Sequence, residues 1–562
     1  MTLPKLYNEV TLTAYHEIRY RGEEPEGIGG ASPFSMGLAA LVSSPHAALV
    51  RSLRLCGDWR EAGLSKDVRT GQVPESSMML NIVVRAAVDR ITELESFSWE
   101  LSTKMLKTVY EGLAQRSKLT SLTIRFSSSR QPQPTIVIPP MPHLRVLKIT
   151  HIDPLCYPDD ISTLLWKCKR LSELKMQWSP RMRIEQECSV VLHDYFRKCI
   201  AAKQPLKLKK LALQNLYARY TEDFNVAIDM AVLEDLTFLR TSSLKSATLT
   251  NNFFDSSWPT NPPAQVRLKS LRQNFFSTRH AEFLASFTGL EKLYFVSAPS
   301  NISVSVKSRS QVLTRTPLHH TIDLEASNAA LETRLRDVFL DAIIMNHSST
   351  LRHLLLPSHW PLPTSTIVRL AHASPRLEQL AFAVDPSNTD NLGPILSLFR
   401  NLVAVRLLLS KNPAPSPLTG SNPSRPEMPA PEHTYNSFPP PTDLSTLIQV
   451  LASFVEFDDH IVAGTLSETF ADQHLFRQLK IISIGRKAWK LGGHYTVSRD
   501  AAVPGMEPLV TTPPGPFLTS RINPSVLRET CNDGRRWKRR IEQIDWDVLR
   551  NWEIWALDSQ NI

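Results

Sequence analysis

The chain has 562 residues, 42% of them apolar and 21% charged, a balance that excludes wholesale disorder and suits either several domains or one long repeat array. Its formal net charge of +10 fits nucleic acid, an anionic membrane or an acidic protein and does not choose among them. The six cysteines form no Cys-x-x-Cys pair, so they support neither a zinc module nor a dense disulfide framework and are expected as reduced, mostly buried thiols.

From the N-terminus, residues 1–21 contain no apolar run of signal-peptide type. The apolar stretch around 396–409 is interrupted by Arg400 and Arg406, and nothing else approaches membrane-spanning length. The expected location is therefore cytoplasmic and/or nuclear, with no membrane partner. Gly27-Ile28-Gly29-Gly30 does not join a clear strand to a helix and reads as a flexible loop rather than a phosphate cradle.

The dominant feature is a recurring Leu-x-x-Leu-x-Leu frame. It is strongest at Leu119, Leu122, Ile124; Leu144, Leu147, Ile149; Leu171, Leu174, Met176; Leu208, Leu211, Leu213; Leu244, Ala247, Leu249; Leu290, Leu293, Phe295; Leu351, Leu354, Leu356; Leu377, Leu380, Phe382; and Leu402, Val405, Leu407. Weaker copies stand at Val50, Leu53, Leu55; Leu94, Phe97, Trp99; Leu268, Leu271; and Phe476, Leu479, Ile481. Steps of about 25 residues fall in the leucine-rich-repeat range. Apolar positions two apart share one face of a short strand. Helical periodicity fills 103–115, 161–167, 189–202, 279–287, 330–346 and 365–373. Strand and helix in alternation predict an α/β leucine-rich-repeat solenoid, a horseshoe with short parallel strands on the concave face and helices on the convex face. The Asn that usually follows the last strand position is matched only by Asn252, which predicts an irregular solenoid.

The expected organisation is an N-terminal cap at 1–45, a solenoid at 46–410, a disordered Pro-rich insertion at 411–441, the last repeats at 442–490, and a loop with a C-terminal capping helix at 491–562. The insertion holds ten prolines and cannot maintain a packed core. In the final helix, expected over 536–557, Ile541, Ile544, Val548, Trp552 and Trp555 share one side. That side would cover the last repeat, or alternatively bind a partner. The run Arg535-Arg536-Trp537-Lys538-Arg539-Arg540 is either a nuclear-import or acidic-partner patch or the solvated start of that helix.

Between and beside the buried strand positions stand Arg125, Lys148, Lys175, Lys210, Arg272, Lys292 and Arg406, with Glu173 as the one acid found there. Like charges on adjacent strands repel, so this concave row implies a protein partner that is acidic or phosphorylated, unless the side chains simply spread into solvent. The cations lack the interleaved aromatics of single-strand binders, which argues against nucleic acid. His319, His320, His353 and His359 lack ligand spacing, and Asp458-Asp459-His460 reads as a loop or helix start. No catalytic, metal or cofactor constellation emerges, so the chain is expected to be a non-enzyme without a cofactor.

Residues 1–12, MTLPKLYNEVTL, carry a family resemblance. Pro4, Leu6, Tyr7, Val10 and Leu12 resemble the stretch that follows the F-box in fungal F-box proteins, where a Pro, a Leu-Tyr pair and a Val-x-Leu strand lead into leucine-rich repeats. The resemblance implies a substrate-recognition subunit of a cullin-RING ubiquitin ligase. The chain begins where the F-box would be ending, so docking to a cullin adaptor is implied only if an F-box lies upstream. Otherwise the expectation is a leucine-rich-repeat scaffold with no ubiquitin role.

Overall fold

A computed structural model describes residues 7–15, 19–21, 24–26, 32–59, 75–126, 138–152, 158–180, 190–216, 218–219, 224–239, 266–274, 276, 278–296, 321–384, 392–409, 443–452, 459–498, 535–559 and 561–562. The chain divides into two compact units. The first comprises Met1–Phe287, Ala298–Thr316 and Gln560–Ile562, and the second Thr288–Ser297 and Pro317–Ser559. The Pro-rich 411–441 segment and the frame at Leu244, Ala247 and Leu249 lie outside the described residues.

In chain order the strands of the first unit are β1 (Glu9–Ala14), β2 (Arg19–Arg21), β3 (Glu24–Glu26), β4 (Ser52–Gly57), β5 (Ser96–Leu101), β6 (Ser121–Arg125), β7 (Val146–Ile152), β8 (Glu173–Trp178), β9 (Val190–Val191), β10 (Lys210–Gln214), β11 (Ala218–Arg219), β12 (Asp235–Leu239) and β13 (Ser270–Gln273). Its main sheet runs β1-β4-β5-β6-β7-β8-β10-β12-β13, every described pairing parallel. β2 with β3, and β9 with β11, form two small separate sheets. The register aligns the apolar column Val10, Leu53, Phe97, Leu122, Leu147, Leu174, Leu211, Leu236 and Leu271. Parallel neighbours need crossovers of roughly a dozen residues or more, and helices such as Glu75–Arg90, Lys107–Ala114 and Pro158–Lys167 lie in them. The first leucine of each frame sits in a tight turn: Leu119, Leu144 and Leu171 donate their N–H to the carbonyls of Arg116, Met141 and Cys168.

The second unit carries β14 (Lys292–Phe295), β15 (His353–Leu355), β16 (Gln379–Val384), β17 (Ala404–Leu409), β18 (Ile481–Ile484), β19 (Lys487–Ser498) and β20 (Arg535–Gln543). β14 to β18 are parallel, and β18, β19 and β20 are joined antiparallel. Leu293, Leu354, Leu380, Val405 and Ile482 align. Behind them Phe295, Phe339 and Trp360 form an aromatic cluster with centroids 5.4–5.8 Å apart, which ties the helix Thr321–Asn346 to the sheet.

Two frames shift from the sequence expectation. The copy after Leu208 is Leu233, Leu236, Phe238, all buried, with Leu236 opposite Leu211. Its spacing matches the other frames, with Glu234 and Asp235 at the two intervening positions that Lys209 and Lys210 fill in the preceding copy. The last copy is Leu479, Ile482, Ile484 rather than Phe476, Leu479, Ile481. Leu479 makes the characteristic turn to the Phe476 carbonyl, as Leu402 does to Phe399, and Ile482 pairs with Val405. The 189–202 region is a short strand, a 3-10 turn over Leu192–Tyr195 and a helix at Arg197–Ala201, not one helix.

The C-terminal region also differs. Residues 536–543 belong to β20, not to a helix, and only single turns at Trp546–Leu549 and Glu553–Ala556 are helical. Strand is favoured because Arg539 is consumed internally. It is 4% exposed and donates to the carbonyls of Gly492 and Phe476, both at 3.0 Å, and to that of Leu479. Burial lowers its pKa to about 10. The β19–β20 pair covers the edge of the last parallel strand, a standard way to block edge-to-edge association. Arg539→Leu should strand three carbonyls and cost about 3 kcal/mol in urea denaturation, whereas Arg540→Leu, at an exposed position of the same strand, should change stability by less than about 0.5 kcal/mol.

Candidate protein-binding surface

Alternate strand residues point away from the leucine columns and build the opposite face of each sheet. In the first unit one row on that face is Thr123, Lys148, Lys175, Ala212, Thr237 and Arg272, in register. The neighbouring row contains Glu173, Lys210 and Asp235. Five of the seven cations singled out from sequence thus belong to this unit. Lys148 is half-buried, and burial, followed by the adjacent Lys175 ammonium, holds its pKa below the usual lysine range. It donates to the Ile562 carbonyl at 2.6 Å. Lys175 pairs with Glu173 at 3.0 Å. Arg272, 7% exposed, donates to the Asn561 carbonyl at 3.0 Å. Lys210 is exposed between Glu173 and Asp235. Arg125, at the end of β6, donates to the Glu100 carbonyl at 3.4 Å.

Glu173 is therefore not the one acid on this face. Asp235 stands opposite Lys210, and Glu100 pairs with Arg54 at 2.8 Å. Both escaped the sequence reading. Asp235 belongs to the frame shifted above, and Glu100 lies one position past Trp99, the last apolar residue of its frame.

The second unit holds the other two cations, Lys292 and Arg406. Here the face away from the leucine columns is apolar: Tyr294, Leu355, Ala381, Ala383, Ala404, Leu408 and Ile481 form one buried cluster with Ala488, Leu549, Ile554 and Trp555, and Ile544, Trp552 and Leu557 pack against it. β16, Gln-Leu-Ala-Phe-Ala-Val, is buried at every position, as a strand covered on both faces must be. The alanines leave room for Ile554 and Trp555. Of the side chains that the sequence placed on one flank of a helix, Ile544, Trp552 and Trp555 meet this cluster, whereas Ile541 lies in β20 and Val548 is 43% exposed.

Polar groups frame this contact. Three donors converge on the Glu553 carboxylate: Lys292 Nζ on Oε1 at 2.7 Å, His353 Nδ1 on Oε2 at 2.8 Å, and the Tyr294 hydroxyl on the same Oε2. The hydrogen bond from His353, against the opposing effect of burial and with help from Lys292 and Tyr294, holds the Glu553 carboxyl well below the usual carboxylate range. Arg406 pairs with Asp558 at 2.7 Å and also donates to the Ile554 carbonyl at 3.0 Å. Gln379 Oε1 accepts from the Ile554 N–H at 3.3 Å. Tyr294 and Gln379 were not singled out from sequence, and His353 stood there only among histidines without ligand spacing. The usable signal was the absence of alternation in β16, which announces a second covering layer.

Nucleophilic and metal chemistry finds little purchase on the described side chains. Burial pushes the Cys168 and Cys199 thiols up to about 12 and about 11, so both are protonated at neutral pH and unreactive. Burial lowers the His359 pKa to about 4, and its ring packs on Trp360. Asp459 opens the helix Asp459–Thr469, the helix start anticipated for the Asp458-Asp459-His460 run. Among the described residues no helix is long and apolar enough to cross a membrane.

Some solved structures are partly similar. A chain of the yeast Rad7–Elc1 complex is 14% identical, with 60% of this chain and 76% of that one covered and a TM-score of 0.29. A leucine-rich-repeat protein of Leptospira interrogans is 13% identical, with 66% and 94% covered and a TM-score of 0.20. No protein-family model and no curated protein matches the chain.

A carboxyl whose folded pKa is depressed stabilises the fold above its unfolded pKa of about 4.3, and that contribution fades as pH falls toward the folded value. Glu553→Gln should therefore cost about 1 kcal/mol near pH 7, a modest figure because the side chain is 38% exposed and screened. Urea midpoints at each pH should show the gap between wild type and variant narrowing below about pH 4.3 and still partly open at about pH 3, because the folded carboxyl titrates well below the usual carboxylate range.

Proposed function

We propose that both units are irregular leucine-rich-repeat stacks and that the chain is a non-catalytic, protein-binding molecule whose partner lies on the face opposite the leucine columns. The observation that carries this reading is in the second unit. That face already holds a peptide segment, seating Ile554 and Trp555 on alanines while Lys292 and Arg406 take the carboxylates of Glu553 and Asp558. Such a surface recognises an acidic, locally amphipathic protein segment: apolar anchors in the middle and charge-assisted hydrogen bonds beside them. On the first unit, Lys148, Lys175 and Lys210, with Arg125 and Arg272 on the same sheet, supply the matching positive potential.

The finer reading is a substrate receptor of F-box type. Its support is the N-terminal resemblance, in which Val10 and Leu12 behave as a repeat strand should: β1 pairs with β4, and Val10 and Leu12 face Leu53 and Leu55. Cytoplasmic and/or nuclear residence follows from that role.

Cross-linking of the tagged chain in cell extract tests both levels. Partner cross-links should cluster on the strands of these faces and fall at least tenfold in Lys148→Glu/Lys175→Glu/Lys210→Glu. Unchanged cross-linking in that variant would overturn the basic face as the binding surface. Recovery of a cullin adaptor with the chain, carrying whatever sequence precedes Met1 in its gene, supports the ubiquitin role; a partner captured without any adaptor favours a plain scaffold.

A further inference from the structure

The C-terminal segment is an unusual cover. A structural lid on a sheet is normally held by backbone ladders or a long helix, yet residues 544–559 hold only two helical turns of four residues each. Backbone groups of the segment that bond to the sheet include the Ile544 N–H, which donates to the Ala488 carbonyl, the Ile554 N–H, which donates to the Gln379 side chain, and the Ile554 carbonyl, which accepts from Arg406. Side chains add two acids, five residues apart, on a receptor made of donors. Lys292 and Glu553 are each about one-third exposed, so their contact meets solvent and can exchange without opening the sheet. His353 Nε2 lies 3.8 Å from Glu378, and Nδ1, facing a carboxylate that can only accept, is the donor toward Glu553. The receptor groups all stand on strands of the sheet, whereas the segment that meets them does not.

Resting on the reading of this face as protein-binding, we propose that Lys292, Tyr294, His353 and Arg406 form a recognition site for an acidic peptide with two carboxylates about five residues apart flanking large apolar side chains, and that the chain's own Glu553–Asp558 segment occupies the site as an intramolecular stand-in. A partner segment of that chemistry gains access by displacing it. Because the resident segment is tethered, its effective concentration is on the order of millimolar, so free peptides bind weakly until its acids are weakened.

The probe is a labelled peptide with the sequence of residues 546–559, titrated against the full chain. Glu553→Gln/Asp558→Asn in the chain should tighten peptide binding by about tenfold or more, the effect of losing about 1.4 kcal/mol from the competing contact. The same peptide with both acids replaced by amides should bind neither form. Binding no tighter to the double variant than to wild type overturns the proposal, as does equal binding of the amide peptide. A second readout uses wild-type protein and avoids any folding defect of the variant. Saturating peptide should raise amide hydrogen exchange across 549–557 of the chain several-fold, and unchanged protection there overturns the proposal. A phosphoserine peptide that binds over a hundredfold tighter than the carboxylate peptide would overturn the carboxylate assignment in favour of a phosphorylated partner. If the peptide tests fail while partner cross-links still map to this face, only the stand-in is lost; if the cross-links lie elsewhere, the protein-binding reading falls as well.

Discussion

Everything in this chain depends on one constraint: an apolar pair two residues apart on each short strand, which a single strand–helix segment cannot bury alone. Val10 and Leu12 are covered only because Leu53 and Leu55 lie alongside, and those in turn need Phe97 and Trp99. In-register pairing keeps every such pair on the same side, since a slip of one residue would turn the leucines to the opposite face. The turn that begins each strand, from the first leucine N–H to the carbonyl three residues back, recurs at Leu119, Leu144, Leu171, Leu377, Leu402 and Leu479.

Once the leucine columns are committed, chemistry is left to the other face, and the two units use it differently. In the first unit that face is polar, with Lys148, Lys175, Lys210 and Arg272 set among Thr and acidic side chains, so water can cover it. In the second unit it is apolar through Leu355, Ala381, Ala383, Leu408 and Ile481. At roughly 25 cal/mol per Å² of apolar surface, leaving such a face wet is unfavourable, and a second layer is required. The C-terminal segment is that layer, and its acids stand where the cations of β14 and β17 need counter-charge.

Much of this was legible in the sequence. The strand frames, their period and the alternating helices follow from apolar spacing, because burial between neighbours tolerates little else at those positions. Legibility failed where more than one phase fits. Leu233 and Leu244 each open a frame of the right spacing, and the four consecutive buried residues Ile481 to Ile484 admit more than one phase. The segment 536–543 reads as helix because Ile541 and Ile544 are spaced for one, while the decisive interaction, Arg539 satisfying three distant carbonyls, has no local signature. The basic residues were visible as a row. Their partners were not, because Glu553 and Asp558 lie 261 residues from Lys292 and 152 from Arg406 in the chain, and no periodicity links them.

The pairing of cations with the chain's own acids sharpens what the charge of this face means. A row of lysines and arginines held close on adjacent strands is unfavourable by itself, and the Lys175 ammonium adds to the burial that chiefly lowers the pKa of Lys148. Each described solution to it is local and partial. Glu173 serves Lys175, backbone carbonyls of residues 561 and 562 serve Arg272 and Lys148, and Glu553 and Asp558 serve Lys292 and Arg406. These acceptors, from the partly exposed Glu173 and Glu553 to the buried Asp558, neutralise the cations at contact range. Arg406, at 14% side-chain exposure, and Asp558, at 7%, form a largely buried pair, so removing either partner alone would leave an uncompensated charge, a far greater penalty than losing one of the exposed pairs.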